Sequence, residues 1–256
     1  MRKPTRGSTL PNSRRPPMHD ALPRTLGAFA ILLGLASLGL LAVAVWGFRT
    51  GGWPWPQAYD LAGWGAWAAC AGIIAALAGL VVWLRRRKGG AAAFLLGLIL
   101  SLPVAGLGAA FEIAARTTPP INDISTDTED PPVFWFTATP SDYPGQNAGP
   151  QRAAYPDVRP LEVPVSADEA FAAALALVEE RGWEVLSADP DESQIEAIAT
   201  SRLFGFEDEV AIRIAETDTG TRVDMRSRSR LGQIDRGANA RRIESFLSDL
   251  ETRAQD

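Results

Sequence analysis

The sequence predicts three transmembrane α-helices followed by a small α+β domain. Three long apolar segments carry no charge, a proline-rich stretch follows them, and the rest of the chain alternates between helical and strand periodicities. We divide the 256 residues into a basic cytoplasmic tail (1–25), a transmembrane region (26–116), a proline-rich tether (117–160) and an extracytoplasmic domain (161–256).

The three predicted spans are residues 26–48, 61–84 and 91–111, none of which contains a charged residue. A helix needs about 20 residues to cross the hydrocarbon core, because it rises about 1.5 Å per residue. The first segment is too long for the apolar core of a signal peptide, and two more spans follow it. We therefore expect three retained helices and a lipid bilayer as a partner.

The orientation of these spans is predicted from the charge of their flanks, because loops rich in Lys and Arg stay in the cytoplasm. The basic flanks precede the first span and join the second to the third: Arg2, Lys3, Arg6, Arg14, Arg15, Arg24, Arg85, Arg86, Arg87 and Lys88. The N-terminus is then cytoplasmic, and three crossings place everything after Arg116 outside. For a bacterial inner membrane, this is the periplasm.

Charge and composition exclude several classes of function. Residues 1–116 hold 12 Lys and Arg against 3 Asp and Glu, whereas residues 117–256 hold 13 against 27. An acidic outer domain repels nucleic acid. One Cys and one His exclude a disulfide framework, a zinc site and a Cys–His pair, and the chain has no phosphate-binding loop or serine elbow. We expect no catalytic motif, cofactor or metal.

The outer domain is predicted to have the element order α-β-β-β-β-α. Ser166 and Glu169 form a capping box ahead of a helix of about four turns. Four strands follow at 183–186, 194–203, 209–216 and 222–231, and a last helix carries apolar residues at helical spacing: Ile243, Phe246, Leu247 and Leu250. This order predicts an antiparallel four-stranded sheet with both helices on one face. In the tether, the apolar residues 133–136 would add an edge strand or fill a gap under the domain.

Several segments of the outer part resemble the family called domain of unknown function 1499. They are PPINDISTD (119–127), DPPVF (130–134), YPD (155–157), DEVAIR (208–213) and DMRSRSRLGQIDRGANARRI (224–243), of which the last is the most specific. The resemblance covers about residues 118–252. It implies small bacterial and plastid proteins, many with membrane spans ahead of the domain, and it implies no activity.

The fourth strand carries the candidate ligand-binding residues. Alternation places Arg226, Arg228 and Arg230 on one face, where a row of positive charges needs anions. A turn at Asp218-Thr219 would pair Arg213 with Asp224 and Glu209 with Arg228, and would leave Arg226 opposite Ala211 with room for an external anion. A turn at Thr219-Gly220 would instead place Arg213 opposite Arg226 and Glu209 opposite Arg230, which pairs charges less well.

Two interpretations of this arginine row, defined as Arg226, Arg228 and Arg230, stay open. In the first, the row binds phosphate or carboxylate together with Asp235 and Asn239, which lie at the start of the last helix. In the second, which we favour, internal salt bridges neutralise the row, and Asp235 and Asn239 cap the helix.

One further cluster consists of acidic residues in the tether: Asp123, Asp127, Glu129 and Asp130. Its spacing does not match a calcium-binding loop, which favours a solvated acidic linker.

From the composition, the motifs and the arginine row together, we expect a non-catalytic binding or envelope-scaffolding module that meets an anionic ligand, a lipid headgroup or an envelope protein. The alternative is an envelope enzyme that acts on glycan or lipid through carboxylates.

Overall fold

The structure is a computed structural model that describes residues 18–86, 91–137 and 140–255. The predicted basic tail up to residue 17, and Arg87 and Lys88 between the second and third spans, lie outside the described residues. The described residues form two compact units, which divide after Gly108.

Three helices make up the membrane part: α1 (Met18–Arg49), α2 (Trp55–Arg86) and α3 (Ala91–Thr117). All three are long and apolar enough to cross a membrane, so the prediction of three spans is confirmed and the chain is a membrane protein. Small residues let these helices approach closely. A Cβ atom at Gly97 would lie only 2.7 Å from the Cβ of Ala30, and one at Gly72 would lie 2.6 Å from the Oγ of Ser101.

After the end of α3, the described residues of the second unit form an antiparallel sheet, three α-helices and one short 3-10 helix (Gly145–Asn147). Its strands are β1 (Asp123–Ser125), β2 (Leu161–Val163), β3 (Glu184–Asp189), β4 (Gln194–Thr200), β5 (Glu207–Thr217) and β6 (Gly220–Ser229). Its helices are α4 (Ala148–Ala154), α5 (Ala167–Glu180) and α6 (Ala238–Arg253). The α+β class and the order of the six predicted elements are confirmed.

The sheet has two strands more than the four predicted, and both come from residues 117–163. Strands β3, β4, β5 and β6 form the expected meander, while β1 and β2 both pair with the outer edge of β6. Ile124 lies opposite Ser227, and Glu162 lies opposite Arg222. The added edge strand is therefore at 123–125 and not at 133–136. Without β1 and β2, the edge of β6 would leave its backbone N–H and C=O groups unpaired.

The β5–β6 hairpin closes through Asp218 and Thr219, because Thr217 lies opposite Gly220. Of the two registers considered above, the structure has the one that pairs charges better, with Arg213 opposite Asp224 and Glu209 opposite Arg228. Ala211 lies opposite Arg226, as that register requires.

One face of the sheet packs on α5 and α6 and forms the hydrophobic core. The strands contribute alternate apolar residues, among them Ile195, Ala197, Val210, Ile212, Ile214, Val223 and Met225. Helix α5 begins with the predicted capping box, in which the Glu169 amide donates to the Ser166 Oγ at 3.3 Å and the Ser166 amide donates back to the Glu169 carboxylate at 3.0 Å.

The other face of the sheet is polar and lies under residues 126–137 and 140–143, which we call the cover segment. Two contacts show how the cover segment is held on the sheet. The side-chain amide of Gln194 donates to the Val133 carbonyl at 2.7 Å, and Arg226 donates to the Ser141 carbonyl at 2.8 Å. Side chains on both faces of the sheet are therefore buried.

Gly220 tests the packing of β2 against the hairpin. Its φ is +151°, and a Cβ atom there would lie 2.2 Å from the carbonyl oxygen of Val163. We expect Gly220→Ala to lower the free energy of unfolding by roughly 1–3 kcal/mol, since the new methyl group meets backbone that cannot move aside cheaply. Pulse proteolysis of the full-length protein in detergent and urea measures this. Gly149→Ala is the control, because nothing lies within 4 Å of its Cβ position. Equal stability of the two variants would contradict this packing.

Candidate functional site

The arginine row lies on the polar face of β6, beneath the cover segment. Arg226, the first residue of the row, has a side chain only 1% exposed. Its Nε and Nη2 donate to the two carboxylate oxygens of Asp123 at 2.9 and 2.7 Å, and its Nη1 donates to the carbonyls of Pro132 and Ser141. This is a bidentate, buried ion pair. The open place predicted beside Ala211 is absent, because Asp123 and the cover segment fill it.

Aromatic rings from the cover segment close the site above the guanidinium groups. The ring of Phe134 lies 4.8 Å from the guanidinium carbon of Arg226 and 4.4 Å from that of Arg228, within cation–π distance of both. Tyr143 lies 5.5 Å from Arg226. Burial and the Asp123 carboxylate raise the pKa of Tyr143 to about 12, so its phenol stays neutral and donates to Gln151.

Arg228 and Arg230 share the buried carboxylate of Glu209. The Nε of Arg228 donates to one oxygen of Glu209 and the Nε of Arg230 to the other, both at 2.9 Å. Arg230 also pairs with Glu207 at 2.5 Å, and its side chain is 36% exposed. All three members of the arginine row therefore have a carboxylate partner in the same domain.

The polar face continues with a second group of charges around Asp224. This buried carboxylate accepts from Arg222 at 2.9 Å and from Arg213 at 3.2 Å. Arg222 also reaches Asp127 at 2.8 Å, and Arg213 reaches Asp130 at 2.9 Å. Counter-charges from both the strands and the cover segment thus neutralise the arginines of the sheet.

Two of the four acidic residues of the predicted linker, Asp123 and Asp127, are counter-ions of the sheet, whereas the side chains of Glu129 and Asp130 are 84% and 82% exposed, as in a solvated segment. Asp123 is buried under Arg226, and Asp127 is about one-fifth exposed. Partial burial raises the pKa of Asp127, but hydrogen bonds from the amides of Asp130 and Glu129 and the charge of Arg222 outweigh it, so the net shift is downward. Among the residues that the structure describes, no group of three or more His, Cys, Asp or Glu side chains is arranged to hold a metal ion.

Asp235 and Asn239 do not join the arginine row. The Asp235 carboxylate accepts from the amides of Gly237 and Asn239, both at 2.8 Å, so it occupies the start of α6. The Asn239 side chain accepts from the Ser227 hydroxyl at 2.8 Å and donates to the Asn122 carbonyl at 3.0 Å. Ser227 alternates with the row, so these contacts lie on the helix face of the sheet. The five candidate residues form two separate clusters, and Asp235 has the capping role.

Sequence reasoning did not find a cleft of about 290 Å³ on the α+β domain. The residues that line it come from the cover segment and from β3, β4 and their turn: Trp135, Phe136, Ser187, Asp189, Glu192, Gln194 and Glu196. We call it the aromatic cleft, because Trp135 and Phe136 are 51% and 60% exposed. Its signal in the sequence is weak, since the cover segment has no periodicity that places it against β4.

Glu196 forms the buried wall of the aromatic cleft. Its carboxylate accepts from the backbone amides of Trp135 and Phe136 at 2.7 and 3.1 Å and from the Gln194 side chain at 3.1 Å. The residue is 1% exposed, and no cationic side chain among the described residues pairs with it. These bonds fix the backbone of the cover segment and hold the two aromatic side chains at the cleft.

The fold and the site define a membrane protein with an α+β domain whose polar face is an internal layer of ion pairs. The family model described as a protein of unknown function, DUF1499, matches residues 123–250, which is half of the chain. The chain therefore belongs to the DUF1499 family, and the resemblance identified from the sequence is confirmed. Comparison with curated proteins gives no match.

The Asp123–Arg226 pair provides a test of the ion-pair layer. We expect Asp123→Asn to lower the free energy of unfolding by roughly 3–5 kcal/mol, because it leaves the Arg226 charge buried without a counter-charge. Glu129→Gln is the matched control, since its pair with Arg152 is exposed and exposed pairs contribute at most about 1 kcal/mol. Urea titration with pulse proteolysis compares the two. If both variants unfold at the same urea concentration, the pair does not hold the fold together.

Asp235 provides a test by pH. Burial raises its pKa above 3.8, although the two amide hydrogen bonds oppose this. As the pH rises past 3.8, the unfolded chain loses this proton before the folded one does, so the contribution of Asp235 to stability falls until its folded pKa is passed. In Asp235→Asn this pH-dependent loss of stability is absent, because the amide does not titrate. The stability of the wild type relative to the variant should therefore be higher at about pH 3 than at about pH 7. If the stability of the wild type relative to Asp235→Asn is constant, or grows as the pH rises, this would contradict the upward shift in the pKa of Asp235.

Proposed function

We propose that this protein is a non-catalytic, membrane-anchored module that holds a rigid α+β domain on the outer side of the bacterial inner membrane, where the domain binds or scaffolds an envelope component. One observation carries the proposal. The charged groups that would serve an anionic substrate or ligand are bonded to carboxylates of the same domain, and Arg226 is buried. These arginines and carboxylates stabilise the domain by pairing with one another, which favours scaffolding over catalysis at this site.

The orientation in this proposal rests on the charged flanks of the spans. Arg24 precedes the apolar part of α1, and Arg85 lies at the end of α2, which favours the cytoplasm for both flanks. After a third crossing, Arg116 and the outer domain lie on the opposite side.

The aromatic cleft is the surface that best suits a partner from the envelope. Tryptophan and phenylalanine supply large contact area at a low entropy cost, and both are exposed here on a backbone fixed by Glu196. The arginine row offers less, since only Arg230 is substantially exposed and two carboxylates already bind it.

The alternative function, an envelope enzyme acting through carboxylates, is favoured by one feature of the same cleft. Asp189, Glu192 and Glu196 line it beside an exposed tryptophan. Glycoside hydrolysis needs two carboxylates that flank a sugar, and aromatic side chains commonly stack on sugars. Release of soluble glycan fragments from cell-wall glycan by the purified protein, lost in Glu192→Gln, would support this alternative over the non-catalytic one.

Two measurements test the leading proposal. Alkaline phosphatase fused after the last residue should be active, and the same enzyme fused after Arg86 should be inactive, because three crossings export the domain while the loop between the second and third spans stays inside.

A photo-crosslinking amino acid at Phe136 in living cells should form an adduct with an envelope component, and Trp135→Ala should reduce the yield of this adduct several-fold. The backbone amide of Trp135, which bonds Glu196, is kept in that variant.

The control for the second measurement is Val133→Ala. Val133 is also exposed on the cover segment, but it does not line the aromatic cleft. Inactive phosphatase at the C-terminus would overturn the orientation. Equal adduct yields in Trp135→Ala and Val133→Ala would overturn the role of the cleft.

A further inference from the structure

One end of the sheet lies beside the last turns of α3, which belong to the same compact unit as the outer domain. Residues 118–122 connect α3 to β1 and are bonded to the loop between β6 and α6. The Asp235 amide donates to the Ile121 carbonyl at 3.3 Å, and the Asn122 side chain donates to the Gly232 carbonyl at 2.6 Å. The guanidinium carbon of Arg236 lies 3.7 Å from the ring centroid of Phe111, which ends the apolar stretch of α3.

The loop between β4 and β5, residues 201–206, lies at this same end of the sheet. Thr200 pairs with Glu207, and Asp208 pairs with Ser229, whose amide donates to the Asn122 carbonyl. The loop has a defined conformation, because the amide and hydroxyl of Ser201 are both bonded to Phe206. It therefore presents its side chains from a fixed position near the end of α3.

The loop side chains at this end, residues 202–206, are apolar apart from Arg202, and the exposed carboxylate beside them, Glu207, pairs with Arg230. Leu203 is 42% exposed and Leu231, in the neighbouring loop, is 46% exposed. The rings of Phe204 and Phe206 stack with their centroids 5.7 Å apart. Arg202 is exposed beside them. The turns at the opposite end of the sheet carry acidic residues instead: Asp189, Asp191, Glu192 and Asp218.

We propose that the membrane tip, defined as residues 202–206 and Leu231, contacts the surface of the bilayer that α3 crosses. Leu203, Phe204 and Leu231 are suited to the boundary between headgroups and acyl chains, where apolar side chains leave water. Arg202, with Arg236 beside the end of α3, is suited to the phosphates of anionic lipids. The occupant is lipid, because this end of the sheet, through Arg236, lies against the point where the apolar stretch of α3 ends. The charge of Arg202, the charged residue of the tip, is also opposite to that of an anionic leaflet.

The contact gives the domain a second attachment besides the chain itself. Residues 118–122 fix where the domain joins α3, and the tip adds apolar and electrostatic contacts with the same bilayer. The polar end of the sheet, with the aromatic cleft at β3 and β4, then points away from lipid. This inference depends on α3 crossing a membrane and does not depend on which side the domain occupies.

The test uses the full-length protein with its one cysteine removed by Cys70→Ser. An environment-sensitive fluorophore is attached at Leu203→Cys, or at Thr219→Cys at the opposite end of the sheet as the control, and each protein is reconstituted in vesicles of phosphatidylethanolamine and phosphatidylglycerol. Lipids that carry a nitroxide just below the headgroup should quench the probe at 203 several-fold more than the probe at 219. Replacing phosphatidylglycerol by phosphatidylcholine, or Arg202 by Gln, should reduce the difference.

Equal quenching at the two positions would overturn the proposal. The proposal would also be overturned if lipid did not quench the probe at 203 and energy transfer occurred between probes on different copies of the protein, since the tip would then bind a second chain. The quenching lipid is present in both leaflets, so the result does not depend on orientation. A failure of the proposed topology would instead appear in the phosphatase fusions, and the two failures are distinguishable.

Discussion

A guanidinium at the centre of a folded domain needs an anion in contact with it, because an unpaired buried charge is costly. Arg226 meets this requirement through Asp123, which is 103 positions earlier in the chain. The contact brings β1 to the edge of β6 and places the cover segment over the polar face. The edge of β6 is closed for the same reason, because the residue that neutralises Arg226 also pairs with the backbone of Arg228. The layout of residues 123–143 follows from this one ion pair.

The remaining arginines extend the same principle over the whole polar face. Glu209 on β5, Asp224 on β6, and Asp127 and Asp130 in the cover segment supply the counter-charges. Such a layer contributes less to stability than to register, since a slip of one residue would move every arginine into the apolar core and every core residue into the charged layer. It also explains how an acidic domain can hold a cationic strand, since each arginine of the row has a carboxylate partner.

With the polar face covered, the two surfaces proposed above for interaction lie toward the ends of the sheet. The aromatic cleft is at β3 and β4, and the membrane tip is at the loops beside α3. Both are held by hydrogen bonds from buried or turn-forming residues, Glu196 in the first and Ser201 in the second. A domain whose interior is fixed by ion pairs can present such surfaces rigidly, which suits a scaffold better than an enzyme that must change shape.

Local physics in the sequence determined the three spans, the capping box at Ser166 and the order of the outer elements, because each depends on periodicity or on residues within a few positions. It also favoured the observed β5–β6 register over the alternative, since the charges on the two adjacent strands of this hairpin pair better in it. The sequence did not predict β1, because a strand of three residues has no readable period and the prolines around it favoured a tether. Only tertiary structure decided four other features. They are the burial of Arg226, the closure of the candidate anion site, the position of the aromatic cleft and the separation of Asp235 from the arginine row. Each of these depends on which distant segment lies over the sheet, and that choice is made by long-range charge pairing and exclusion of water, neither of which leaves a pattern in neighbouring residues.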